Sequence, residues 1–446
     1  GITPSTRIHT THTYYVSMTS ACMNTLLLHP SKKQIAASLL HLRRHAKGNL
    51  TTRSLHTLMT SSTTCTPSVN HHNQNNRLSS SNGANVRQFA TANAGEGGMN
   101  DEYGDMTADG ESYVHEGEFQ LAYGGKLMDP ELRYMTYGTL NEARDNVLVV
   151  CHALTGNASL HSWWGSLLGD NLAFDTSKYF IVCANILGSC YGSTNPLSIN
   201  PETGEMYGID FPDIAVKDTV KIQLEMLKEH LNIRSVKCVI GGSFGGMQTL
   251  EYAVQNSDNF IRSIIPIGCG AQHTAWQIGI SETQRQAIYA DPEWKAGNHM
   301  QAQSGLSVAR QIGMVSYRTA KGYQSKFGRR LSSDSIDSWE VRSYLEYQGE
   351  KFLSRFDPVT YVKLTQQMDS HDVRGKLESG AVQIPTLVLG IDSDILYPLH
   401  EQEEVQQLIG NEFSQLSIIK SEAGHDGFLL EQDQVNKYIT DFLAGV

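Results

Sequence analysis

No aspartate or glutamate occurs between Gly1 and Gly95 of this 446-residue chain. Nine basic residues, from Arg7 to Arg87, stand in that stretch, with eight of the chain's 17 histidines and much Ser, Thr and Asn. Charge of one sign and little apolar surface exclude it from the folded part, and residues 1–95 are expected to be a disordered leader. Ile35, Leu39 and Leu42 share a helix face among Lys32, Lys33, Arg43, Arg44 and Lys47. That amphipathic, basic pattern suits a mitochondrial transit peptide and a matrix address. Arg87-Gln88-Phe89-Ala90 fits a processing site with arginine at minus three, so a mature start near Ala90 is expected. The alternative is a low-complexity tail without an address, which leaves the protein cytoplasmic.

Three further absences narrow the function. No run approaches the roughly 18–20 apolar residues of a spanning helix, so no membrane partner is expected. Beyond the leader, 26 basic residues face 46 acidic ones, a net charge of −20 that argues against nucleic acid. Of seven cysteines, Cys22 and Cys65 are in the leader, and Cys151, Cys183, Cys190, Cys238 and Cys269 have no C-x-x-C spacing. A reduced, buried set is expected, with no metal site.

What is present alternates between short apolar strands and amphipathic helices. Val147–Cys151 and 179–184 are continuous apolar runs, as for strands buried on both faces. Val220, Leu224, Leu227 and Leu231 recur at helical spacing before Val236-Lys237-Cys238-Val239-Ile240. Further strands are expected at 263–267, 386–391 and 413–419. This is the pattern of a doubly wound α/β sheet. Between 271 and 369 it breaks into polar, helix-favouring sequence without a convincing strand. That stretch is expected to be a helical lid inserted between two parts of one core, 96–270 and 370–446.

The densest signal is Gly241-Gly242-Ser243-Phe244-Gly245-Gly246, set between a strand and a helix. Strand, sharp turn and helix are the context of a G-x-S-x-G nucleophile elbow, where small neighbours let a strained serine stand clear. Serine needs a base oriented by a third group. In the α/β-hydrolase order an acid follows a later strand and a histidine follows the last one. Asp392 and Asp394 both qualify as the acid, and His425 as the base. The amide of Phe244 and that of Leu154, in His152-Ala153-Leu154-Thr155-Gly156, are the expected oxyanion donors.

These motifs, with Tyr207-Gly208-Ile209-Asp210-Phe211-Pro212 and Gly390-Ile391-Asp392-Ser393-Asp394, resemble the homoserine O-acetyltransferases of the α/β-hydrolase superfamily. The likeness runs from about Phe119 to the end. Phe244 departs from it, standing where bacterial members commonly have a smaller or unbranched residue. The resemblance implies a triad of Ser243, Asp394 and His425, choosing the second aspartate. It further implies that Arg310, Tyr317 and Asp426 contact the amino-acid substrate. Arg310 offers a cation for its carboxylate and Asp426 an anion for its ammonium.

The activity so implied is ping-pong transfer of acetyl from acetyl-CoA to L-homoserine, in methionine biosynthesis. It needs no cofactor beyond the co-substrate, and a homodimer is expected. The rival readings are an L-serine O-acetyl- or O-succinyltransferase serving cysteine synthesis, and a serine esterase.

Overall fold

The computed structural model describes residues 110–446, apart from 334 and 336. The leader and its expected processing site lie outside the described residues. The sheet begins before the first strand expected from sequence, with β1 Glu111–Val114, β2 Glu118–Gln120, β3 Lys126–Met128 and β4 Glu131–Tyr137. Then come β5 Val147–Cys151, β6 Phe180–Ala184, β7 Val236–Gly242, β8 Ile264–Ile267, β9 Thr386–Ile391 and β10 Ser414–Ile419. Eight of them form one sheet in the order β1-β4-β6-β5-β7-β8-β9-β10, while β2 and β3 pair as a separate hairpin. From β6 to β10 every neighbour is parallel, and β4 runs antiparallel to both β6 and β1.

Side-chain alternation along β5 shows how the sheet is covered. Val147, Val149 and Cys151 join one apolar cluster, Leu148 and Val150 the other. Both faces are therefore dry, as a parallel sheet between helix layers requires. The first layer includes the helix Val216–Glu225, which widens into a π turn over Met226–His230. The second packs the C-terminal helix Gln432–Gly445 and the pair Trp163 and Trp164.

Between β8 and β9 the longer elements are the helices Ala275–Ala290, Gln303–Tyr317, Ala320–Phe327, Glu340–Leu353 and Pro358–Asp369. Their starts follow ordinary chemistry. Thr319 caps the third by accepting from Gly322 N–H at 2.8 Å. Asp357 caps the last by accepting from Thr360 N–H at 2.8 Å, with Pro358 in the first turn. A third apolar cluster joins these helices to the elbow. It unites Leu306, Ala309, Phe352 and Tyr361 with Leu154, Phe244, Met247 and Tyr397. The helices thus cover the carboxyl ends of the parallel strands, where open α/β sheets bind their ligands.

Candidate active site

Ser243 stands between β7 and the helix Phe244–Val254 with φ 59° and ψ −122°. A non-glycine residue in that region costs about 1–3 kcal/mol and persists only where its surroundings over-determine it. Here they do. The Ser243 N–H donates to Ile267 O at 2.9 Å, at the end of the neighbouring β8. A Cβ on Gly245 would stand 2.1 Å from Cys151 O, and one on Gly242 2.5 Å from the Phe428 ring. Only glycine lets helix, strand and ring approach so closely.

His425 lies in the turn Gly424–Asp426 that follows β10. Its Nδ1 is 2.7 Å from Asp394 Oδ2, and both side chains are buried. The other carboxylate oxygen of Asp394 accepts from the N–H groups of Leu396 (2.8 Å) and Tyr397 (2.9 Å). With Nδ1 donating to the carboxylate, the neutral ring keeps its lone pair on Nε2. That atom is buried and has no hydrogen-bond partner among the described residues.

Tyr397, Phe428 and Tyr317 surround the imidazole, with ring centroids 5.3, 5.7 and 6.1 Å away. Burial pulls the pKa of His425 down. The charge and hydrogen bond of Asp394, with the charge of Asp426, outweigh it, and the net shift is upward from 6.5. Asp392 has other partners: its carboxylate accepts from Ser421 N–H at 3.1 Å and faces Lys420 at 3.4 Å. Of the two aspartates, it is Asp394 that is hydrogen-bonded to His425.

The Leu154 and Phe244 amides donate to no protein acceptor among the described residues, and both residues are buried. The loop carrying Leu154 is fixed by His152. Burial lowers the pKa of that histidine to about 4, so its ring is neutral. Nε2 accepts from Ile186 N–H at 3.0 Å while Nδ1 donates to Ala153 O at 2.8 Å.

Arg310 is on the helix Gln303–Tyr317 and only 2% exposed, its guanidinium 5.1 Å from the centroid of Phe352. Tyr317 ends the same helix, half-buried. Burial raises the Tyr361 phenol well above 10, and that phenol interacts with both Arg310 and Tyr317. Asp426 is buried next to His425 in the chain, its Oδ2 2.5 Å from Arg318 Nε. The end of this helix rests directly on the histidine turn. Thr319 Oγ1 donates to Glu422 O at 2.6 Å, and a Cβ on Gly424 would fall 2.9 Å from Tyr317 O.

Residues 146–432 match the alpha/beta hydrolase fold family. A homoserine O-acetyltransferase of Trichormus variabilis is 44% identical over 348 residues, 76% of this chain and 96% of that protein. The chain belongs to the homoserine O-acetyltransferase family. A second member of that family, from Nostoc punctiforme, is 46% identical over 334 residues, 72% of this chain and 92% of that protein. The crystal structure of the homoserine O-acetyltransferase from Bacillus anthracis shares the fold. Its TM-score is 0.68 at 24% identity, covering 75% of this chain and 96% of that one.

Sequence reasoning assigned no role to Arg318, Tyr397 or Phe428. A lone arginine after a helix end looks solvated, and an aromatic next to a motif looks like ordinary core. Adjacency to Tyr317, Asp394 and His425 was the one signal available.

Proposed function

We propose that this protein moves an acetyl group from acetyl-CoA to the side-chain hydroxyl of L-homoserine through an acetylated Ser243, in methionine biosynthesis. The observation that carries the reading is the geometry around His425. Its Nδ1 is held 2.7 Å from a fixed Asp394, its buried Nε2 has no hydrogen-bond partner among the described residues, and the Phe428 ring that flanks it packs on Gly242, next to Ser243. Family membership supports the acceptor class.

In the first half-reaction Ser243 Oγ gives its proton to His425 Nε2 and bonds to the thioester carbonyl carbon. The Leu154 and Phe244 amides receive the oxyanion, and Asp394 stabilises the imidazolium. The C–S bond then breaks and His425 returns its proton to the leaving thiolate. In the second half-reaction the acceptor hydroxyl gives its proton to His425 and attacks the acetyl carbon. Ser243 Oγ leaves, taking that proton back. On this reading no metal or bound cofactor takes part.

Arg310 would hold the carboxylate of the acceptor and Asp426 its ammonium, which would share the Asp426 carboxylate with Arg318. Tyr317, between Tyr361 and the imidazole, would line the same pocket. We further propose a homodimer located in the mitochondrial matrix after removal of the leader.

Acetyl-CoA consumption with homoserine, serine and water as acceptors tests the proposal. Homoserine should give the highest kcat/KM, and without acceptor one acetyl group should appear on the Ser243 peptide. Higher kcat/KM with serine would overturn the acceptor while keeping the triad. Rapid turnover in water alone would make the protein an esterase.

A further inference from the structure

Gln248 lies two residues past the Gly241–Gly246 motif, yet the reaction as drawn gives it no task. It is one turn beyond Phe244 on the elbow helix and fully buried. Its Nε2 donates to two carbonyls, His152 O at 3.2 Å and Phe244 O at 3.3 Å. Its Oε1 accepts from Gln223 Nε2 at 3.2 Å, and Gln223 also donates to Asn185 O at 3.3 Å. Both hydrogens and the oxygen of the Gln248 amide are therefore engaged.

The two carbonyls belong to the two halves of the oxyanion hole. Phe244 O is on the residue whose N–H is one donor. His152 O is two residues before Leu154, whose N–H is the other. The two donors come from separate segments, one after β5 and one after β7. Parallel strand pairing fixes the ends of these strands, with Cys151 opposite Gly241. Beyond those residues the ladder stops, and the side-chain amide of Gln248 is a polar link from the helix to the loop. Asn185 extends the network, its Nδ2 donating to Tyr191 O at 2.6 Å and its Oδ1 accepting from Ala158 N–H at 2.7 Å.

We propose that Gln248 is a positioning residue for the oxyanion hole, clamping the Leu154 and Phe244 amides at the separation that the tetrahedral intermediate needs. This rests on the proposed acetyl transfer through Ser243. Losing one oxyanion donor outright costs about 10²–10³-fold in rate, and an unclamped donor remains present but misplaced. The expected loss is therefore smaller, about 10- to 100-fold.

The test compares wild type with Gln248→Met, which keeps volume and removes both donors, and with Gln223→Met, which removes only the support behind Gln248. Three quantities are read: the rate of Ser243 acetylation in the burst, the Kd for CoA, and the Kd for a trifluoromethyl ketone analogue of the thioester. That analogue forms a tetrahedral adduct with serine. Gln248→Met should slow acetylation about 10- to 100-fold and weaken the analogue by a similar factor. CoA affinity should stay within about twofold, and Gln223→Met should show a lesser loss. Unchanged acetylation in Gln248→Met would overturn the proposal. So would equal losses in both variants that track only their thermal unfolding temperatures. If wild type forms no acetyl-Ser243 at all, it is the proposed reaction that fails.

Discussion

Ser243 and Asp394 are positioned by the main chain, and His425 through Asp394, whereas Arg310, Tyr317 and Asp426 are positioned by other side chains. Ser243 hangs from Ile267 O, and Asp394 is fixed by two amides just beyond β9. Arg310 packs on Phe352, Tyr317 meets Tyr361, and Asp426 pairs with Arg318. A main-chain anchor survives most substitutions nearby, because every residue type except proline supplies the same N–H and C=O. A side-chain anchor disappears with one mutation. On the proposed roles, the chemical half of the site would stay constant while the acceptor half would be open to change.

The strongest way to break that contrast is at its constant end. Asp394→Asn should lower kcat by about 10⁴-fold, the cost of a misoriented imidazole. Asp392→Asn, which loses contacts only with Ser421 and Lys420, should leave kcat within a few-fold. Similar losses in the two variants at equal stability would mean that the acid has been misplaced.

A smaller effect is expected at the variable end. Arg310→Met and Asp426→Asn should keep the acetylation burst but slow acceptor turnover. About 1.5–3 kcal/mol per charge-assisted contact corresponds to roughly 10- to 150-fold. Stopped-flow and steady-state rates separate the two steps, and a burst that vanishes with turnover would show that the two halves are not separable.

The third effect is one of pH. His425 must be neutral to accept the serine proton, and its pKa is raised above 6.5. Acidification should therefore cut kcat/KM for acetyl-CoA with a midpoint above 6.5. Asp426 contributes to the upward shift, so Asp426→Asn should move that midpoint down. A profile flat down to pH 6 would contradict the role given to the base.

No effect at all is expected from the leader. Expression from Ala90 should give full activity, since every residue named in the site lies beyond it. A fluorescent protein fused behind residues 1–95 should enter mitochondria, and cytosolic fluorescence would remove the matrix address.

How much of this was legible in the sequence follows from the same contrast. β5, β8 and β9 are buried along their whole length, so they stand out as apolar runs, and Ser243 and Asp394 follow closely on β7 and β9. β4 was not expected, because Glu131-Leu132-Arg133-Tyr134 alternates and buries only every second residue. The candidates Ser243, His425 and the pair Asp392 and Asp394 could be read from strand ends. Arg310, Tyr317 and Asp426 could not, and came from resemblance alone. Nothing in the sequence signals that Arg318 pairs with Asp426, since that contact joins a helix end to a turn more than a hundred residues away.

The contact between the end of the helix Gln303–Tyr317 and the Gly424 turn bears on modularity. Gly424 has φ +73° and meets Tyr317 O and the Thr319 methyl so closely that no side chain fits between them. The helical insertion therefore does not ride on the core as a replaceable cassette; it shares a seam with the loop that carries His425. A chimaera that borrows this insertion from a relative with another acceptor should fail unless residues 422–426 travel with it. Divergence of acceptor choice in such a scaffold would be expected to proceed by single changes inside the insertion rather than by exchange of the whole piece.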